Sequence, residues 1–135
     1  MLQLIQRRLD WWTNSPTYLY EVYLLAIAIA WSLVILFSPV AATGQAIQSF
    51  YDLAPLWVWA IVLLLWALFY TLSILLRSAR WRVIWLVLIT GWWSFVTTMF
   101  FVASGMTTGV AIYAITAIGS CIASLYQSGR IAHGI

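Results

Sequence analysis

Charge is scarce in this sequence. Only 7% of its 135 residues are Asp, Glu, Lys or Arg, lysine is absent, and the acids are Asp10, Glu21 and Asp52. A soluble domain carries about a quarter charged residues, so water cannot be the main solvent of this surface. Cysteine occurs once, as Cys121 inside an apolar run. That excludes an internal disulfide and reads as a small packing residue. Histidine also occurs once, as His133 in the polar tail, where it is expected to be solvated. With no His/Cys/Asp/Glu grouping, no nucleophile–base pair and no phosphate-binding glycine loop, an enzyme reading has nothing to stand on, and no cofactor or metal is expected. No internal repeat or low-complexity segment breaks the chain, and no cleavable leader pattern precedes the first apolar run, which is expected to stay in the mature protein.

What is there instead is hydrophobic: 65% of residues, with a mean hydropathy of +1.01. Crossing a hydrocarbon core of about 30 Å takes about 20 apolar residues as a helix. The charge-free stretch 22–51 holds one span of about 16–37, closed by Ser38-Pro39. A second, about 55–76, opens on Pro55 in a first-turn position. Val83 to Gly129 is uncharged throughout. As one helix those 47 residues would reach about 70 Å, so the stretch must fold back. The break falls at Ser104-Gly105-Met106-Thr107-Thr108-Gly109 and gives spans of about 83–103 and 106–126. The expected fold class is therefore all-α integral membrane. It is a single domain over 1–135, a four-transmembrane-helix bundle with an N-terminal interfacial amphipathic helix at 2–12. In that helix Leu2, Ile5, Leu9 and Trp12 share one face, with Gln3, Gln6, Arg7 and Asp10 opposite. A short surface helix around Ile47, Phe50 and Leu53 is expected in the loop between the first two spans.

The basic balance, a pI near 9.4, comes from six arginines in three groups: Arg7 and Arg8; Arg77, Arg80 and Arg82; and Arg130. With four spans all three groups fall on one side, where short positively charged segments remain cytoplasmic. The arginines thus read as topology signals rather than as a nucleic-acid surface, with both termini inside. Tyrosine and tryptophan near the span ends, such as Tyr18, Tyr20, Tyr23, Trp57, Trp59, Trp81 and Trp85, fit the headgroup levels.

In a bilayer small residues face protein and large aliphatics face lipid. The fourth span carries a small stripe of Gly105, Thr108/Gly109, Thr116, Gly119/Ser120 and Ala123/Ser124, with Ile115, Ile118, Ile122 and Leu125 opposite. The third carries Thr90/Gly91, Ser94 and Thr97/Thr98, and the first a weaker version in Ala26 and Ala30. The two stronger stripes are expected to meet, with Ser94 near Thr116 and Thr90 near Ser120; the alternative is that their hydroxyls line an aqueous path in an oligomer. Trp66, Trp92 and Trp93 lie away from the aromatic belts and read as packing residues, with an apolar ligand as the other use. Glu21 is the candidate functional acid, because ionisable groups inside a membrane are functional sites by default. Its position one turn into the first span places it at the headgroup level, paired with an arginine such as Arg80 or Arg82. The other use is a cation or proton-coupling site.

These readings point to a small non-enzymatic membrane protein, a subunit or assembly factor of a larger membrane complex. The alternative is a homo-oligomeric pore former, holin-like or membrane-disrupting, and the third reading is a small transporter using Glu21. The expected partners are the lipid bilayer and other transmembrane helices, with no nucleic acid. The expected location is a bacterial inner membrane. The topology has a direct check: reporter fusions after Arg82 and after Ile135 should both read cytoplasmic, and an external signal from either overturns it.

Overall fold

The computed structural model describes residues 6, 10, 12–37 and 52–133. Among them every regular element is a helix: α1 (Tyr18–Phe37), α2 (Leu56–Leu75), α3 (Ala79–Ser104) and α4 (Thr108–Ala132). All four are long and apolar enough to cross a membrane. Upstream, Gln6, Asp10, Trp12 and Thr13 are helical; the rest of the expected 2–12 helix, with Arg7 and Arg8, lies outside the described residues. Most of the loop between the first two spans does as well.

The helix ends follow capping chemistry more closely than hydropathy. The α2–α3 connection is three residues long, Leu76 to Ser78. Ser78 N–H bonds the Ser73 carbonyl at 3.0 Å and Arg77 N–H bonds that of Ile74 at 3.0 Å, which is a Schellman stop. It puts Arg77 at φ 54°, a left-handed conformation in which a residue with a Cβ costs roughly 1–2 kcal/mol. Ser78 then caps α3, its hydroxyl accepting from Trp81 N–H. Arg80 and Arg82 are therefore inside α3, which starts four residues before the expected span. Arginine is a good helix former, so the helix extends beyond the hydrocarbon-length run. Gly105, at φ 67°, ends α3, and Thr107 caps α4. Gly105 is thus an exposed turn residue rather than part of a packing stripe.

Each helix buries one narrow face. On α1 it is Glu21, Leu24, Ala28 and Ser32, spaced by three or four; Ala26 and Ala30, the expected pair, are exposed. On α4 it includes Thr116, Ala117, Ser120, Ala123, Ser124 and Gln127, while Ile115, Ile118, Ile122 and Leu125 are 60–69% exposed. Cys121 lies outside the packing face and is exposed. On α3 the buried face is bulky: Arg82, Leu86, Ile89, Trp93 and Val96. The small stripe expected to pack does not. Gly91, Ser94 and Thr98 are exposed, and Thr90 and Thr97 are half-buried. Thr90, Thr97 and Thr98 donate to the carbonyls of Leu86, Trp93 and Ser94 at 2.7–2.9 Å, and the face that α3 turns inward is filled instead by Leu86, Ile89 and Trp93.

The closest helix pairing is α3 with α4, followed by α1 with α2. Rings fill the bundle. Trp93 of α3, fully buried, stacks on Tyr113 of α4 with centroids 5.6 Å apart, and Trp31 of α1 meets both edge-on. The Trp66 indole N–H donates to the Trp85 carbonyl at 2.7 Å and ties α2 to α3. Between α1 and α4 the small stripe receives aromatic side chains. Tyr20 donates to the Thr116 carbonyl at 2.5 Å, and the Tyr20 ring lies over Gly119.

Two glycines give a paired test. A Cβ on Gly119 would lie 2.5 Å from Tyr20 Oη and 2.6 Å from Cζ, whereas one on Gly91 meets nothing within 4 Å. Gly119→Ala should destabilise by about 1–3 kcal/mol through overpacking. Gly91→Ala should be neutral or stabilise by about 0.5–1 kcal/mol. Thermal denaturation in detergent reads both, and equal effects overturn the assignment.

Candidate functional site: a buried carboxylate–guanidinium hub

Glu21, the fourth residue of α1, is fully buried, and so is Arg82 of α3, at 1% exposure. The two form a fork: Arg82 Nε donates to Oε2 at 2.9 Å and Nη2 to Oε1 at 2.5 Å. Three further donors close on the same carboxylate. The Trp12 indole N–H reaches Oε2 at 2.8 Å. The Tyr70 hydroxyl from α2 donates to Oε2, and the Thr17 hydroxyl donates to Oε1. The cluster continues through Ser15, whose hydroxyl accepts from Arg82 Nη2 at 3.0 Å and from Gln127 Nε2 of α4 at 2.9 Å. Gln127 also donates to Thr17 at 2.7 Å.

Local sequence explains why these groups meet. Pro16 prevents residues 12–17 from continuing as one helix into α1. The chain turns through Asn14 N–H to the Asp10 carbonyl and Ser15 N–H to the Trp12 carbonyl. That turn brings the Trp12 indole back over Glu21. Glu21, Tyr70, Arg82 and Gln127 come from the start of α1, the end of α2, the start of α3 and the end of α4. Their contact gathers four helix ends at one pole of the bundle. Arg77, Arg80 and Arg130 lie at that pole too, by their places at the ends of the same helices.

Glu21 is thus enclosed by protein and paired with an arginine as expected. Axial position, which is what the sequence supplies, does not reveal that enclosure. The 12–17 turn and Gln127 cover it from the pole side, and five donors replace its water. Of the two arginines expected as partners, Arg82 takes the role and Arg80 is exposed. Thr116, Ser120 and Ser124 are brought together along the buried face of α4, with Gly109 and Gly119 half-buried. Ser94, Gly105 and Thr98 are not joined to them. Trp12, Thr17, Ser15, Tyr70 and Gln127 were missed as site residues. Their common signal, hydrogen-bonding side chains near four span ends, is legible only once those ends are known to converge. Comparison with protein families, curated proteins and solved structures finds no match to this chain.

Chemically the arrangement holds charge rather than offering it. A carboxylate accepting five donors has no lone pair left for a cation or an incoming proton without first breaking a bond. Removing one member of a buried pair leaves the other uncompensated and costs about 3–5 kcal/mol. Glu21→Gln and Arg82→Gln should therefore each destabilise by that amount, whereas the apolar double replacement Glu21→Met/Arg82→Met should lie closer to wild type than either. Denaturation of the four proteins in one detergent tests this, and additive losses in the double variant overturn the pairing.

Proposed function

We propose that the chain is a non-enzymatic polytopic membrane protein, a subunit or assembly factor of a larger membrane complex, inserted in a bacterial inner membrane with both termini inside. The observation that carries this reading is the internal use of the buried charge. Transport coupling needs a titratable group that water or substrate can reach, and Glu21 is enclosed by Arg82, Trp12, Thr17 and Tyr70. Among the described residues no three His, Cys, Asp or Glu side chains form a group able to hold a metal. The transporter reading accordingly falls behind. What the protein has to offer a partner is its outer surface: large aliphatics on α4 and a small, weakly polar strip on α3. The latter is the composition through which helices approach one another closely in lipid.

A homo-oligomeric pore is the second reading, and one observation favours it. Ser94 and Thr98 are exposed on α3, as hydroxyls lining a shared aqueous path would be before assembly. Purification in mild detergent separates the two. Stoichiometric foreign chains are the expected result. A discrete homo-oligomer with no foreign chain, conducting ions after reconstitution, overturns the subunit reading in favour of the pore.

A further inference from the structure

Tyr70 of α2 is fully buried, and its hydroxyl donates to Glu21 Oε2. One turn earlier on the same helix, the Trp66 ring stacks on the Tyr70 ring, with centroids 5.2 Å apart and planes 11° from parallel. Trp66 is also a wall of an apolar groove of about 660 Å³ between α2 and α3. Its indole N–H donates to the Trp85 carbonyl at 2.7 Å. A line of contacts therefore runs from the groove through one indole and one phenol to a carboxylate.

This order of groups suits one-electron chemistry. A phenol that loses an electron becomes a far stronger acid than a carboxylic acid, so its oxidation inside a protein needs a proton acceptor within hydrogen-bond reach. Tyr70 has one in Glu21. The proton moves along the bond that already joins Oη to Oε2, so no other donor to the carboxylate has to leave first. Trp66 differs. Its N–H faces a carbonyl, a weak base, so an oxidised indole keeps its proton and draws an electron from the phenol stacked on it. Tyr20 and Tyr23 offer no comparable exit, since their hydroxyls meet the carbonyl and the hydroxyl of Thr116.

We propose that Tyr70 and Glu21 form a proton-coupled redox site, with Trp66 as its electron contact to the groove. The co-reactant is a neutral one-electron oxidant of the oxidising-radical class that enters from the bilayer. The groove walls are carbon over nearly their whole area, which admits such a species and disfavours a charged one. The oxidant takes one electron from Tyr70 by way of Trp66 and leaves as its anion. The O–H bond of Tyr70 breaks, and its proton bonds to Glu21 Oε2. A neutral tyrosyl radical and a carboxylic acid remain, and re-reduction by one electron returns the proton to Oη. Because the Tyr70 side chain is enclosed, its radical cannot couple with another and persists. The site thus stores one oxidising equivalent away from lipid and from the exposed rings.

The test is flash oxidation of the purified protein in mild detergent by a ruthenium polypyridyl carrying an alkyl tail, with persulfate as the quencher. Electron paramagnetic resonance should show a persistent neutral tyrosyl radical. Tyr70→Phe should lose that signal, whereas Tyr126→Phe, at an exposed position on α4, should retain it. Trp66→Phe keeps a ring in the stack but one harder to oxidise, and should slow formation of the radical. Infrared difference spectra of the wild-type protein give a check that needs no variant: the radical should appear together with a new carboxylic-acid C=O band. Absence of a persistent tyrosyl radical, or a radical without that band, overturns the proposal. So does a signal of wild-type size in Tyr70→Phe, or formation at the wild-type rate in Trp66→Phe.

Discussion

Two opposite charges lie buried at one pole of a molecule that carries few. Moving an ion out of water costs several kcal/mol even after the protein relaxes, and a four-helix bundle of leucine and tryptophan supplies little to offset it. The bidentate Arg82–Glu21 fork recovers part of that cost, and charge-assisted bonds from Trp12, Thr17 and Tyr70 recover more. These donors come from separate parts of the chain, so satisfying one carboxylate fixes where α1, α2 and α3 end relative to one another. Ser15 and Gln127 extend the same constraint to α4. The remaining packing, from the Trp66–Trp85 bond to the Trp31–Trp93–Tyr113 rings, is arranged along helices whose ends at that pole are already pinned.

Much of the architecture could be read from the residues, and the boundary of that legibility is physical. Length and hydropathy are properties of a single helix, so the four helices and the fold-back near Gly105 follow from the sequence. The small face of α4 is also a one-helix property and is visible in the spacing of Thr116, Ser120 and Ser124. Lateral closure is not. Glu21 and Arg82 are 61 residues apart, and axial position says nothing of what covers an acid from the side. The α3 stripe misled for a related reason. Buried Thr116 and half-buried Thr90 both bond their own preceding turn, so spacing alone does not say which small face a neighbour will cover.

The two strongly paired helices divide their labour by size. α3 buries large groups such as Trp93 and Leu86, with Gly91 and Ser94 exposed; α4 buries small groups, with isoleucines exposed. Bulk from α3 and the tyrosines of α1 thus meet a narrow surface on α4, and large side chains interdigitate with small ones. One result is that Gly119 accommodates a ring rather than a helix.

The separation of the ion pair along the chain also orders the protein's birth. Glu21 leaves the ribosome 61 residues before Arg82, and Tyr70 follows it by 49. Until Tyr70 is made the acid therefore has, of its final companions, only the nearby Trp12 and Thr17. A lone carboxylate resists a hydrocarbon phase, so an α1 made alone would keep its first turn at an aqueous surface. Only when the α2–α3 hairpin arrives, carrying a hydroxyl and a guanidinium together, can the acid be drawn into the protein interior. The hub is thus a contact that only a chain carrying α1, α2 and α3 together can complete.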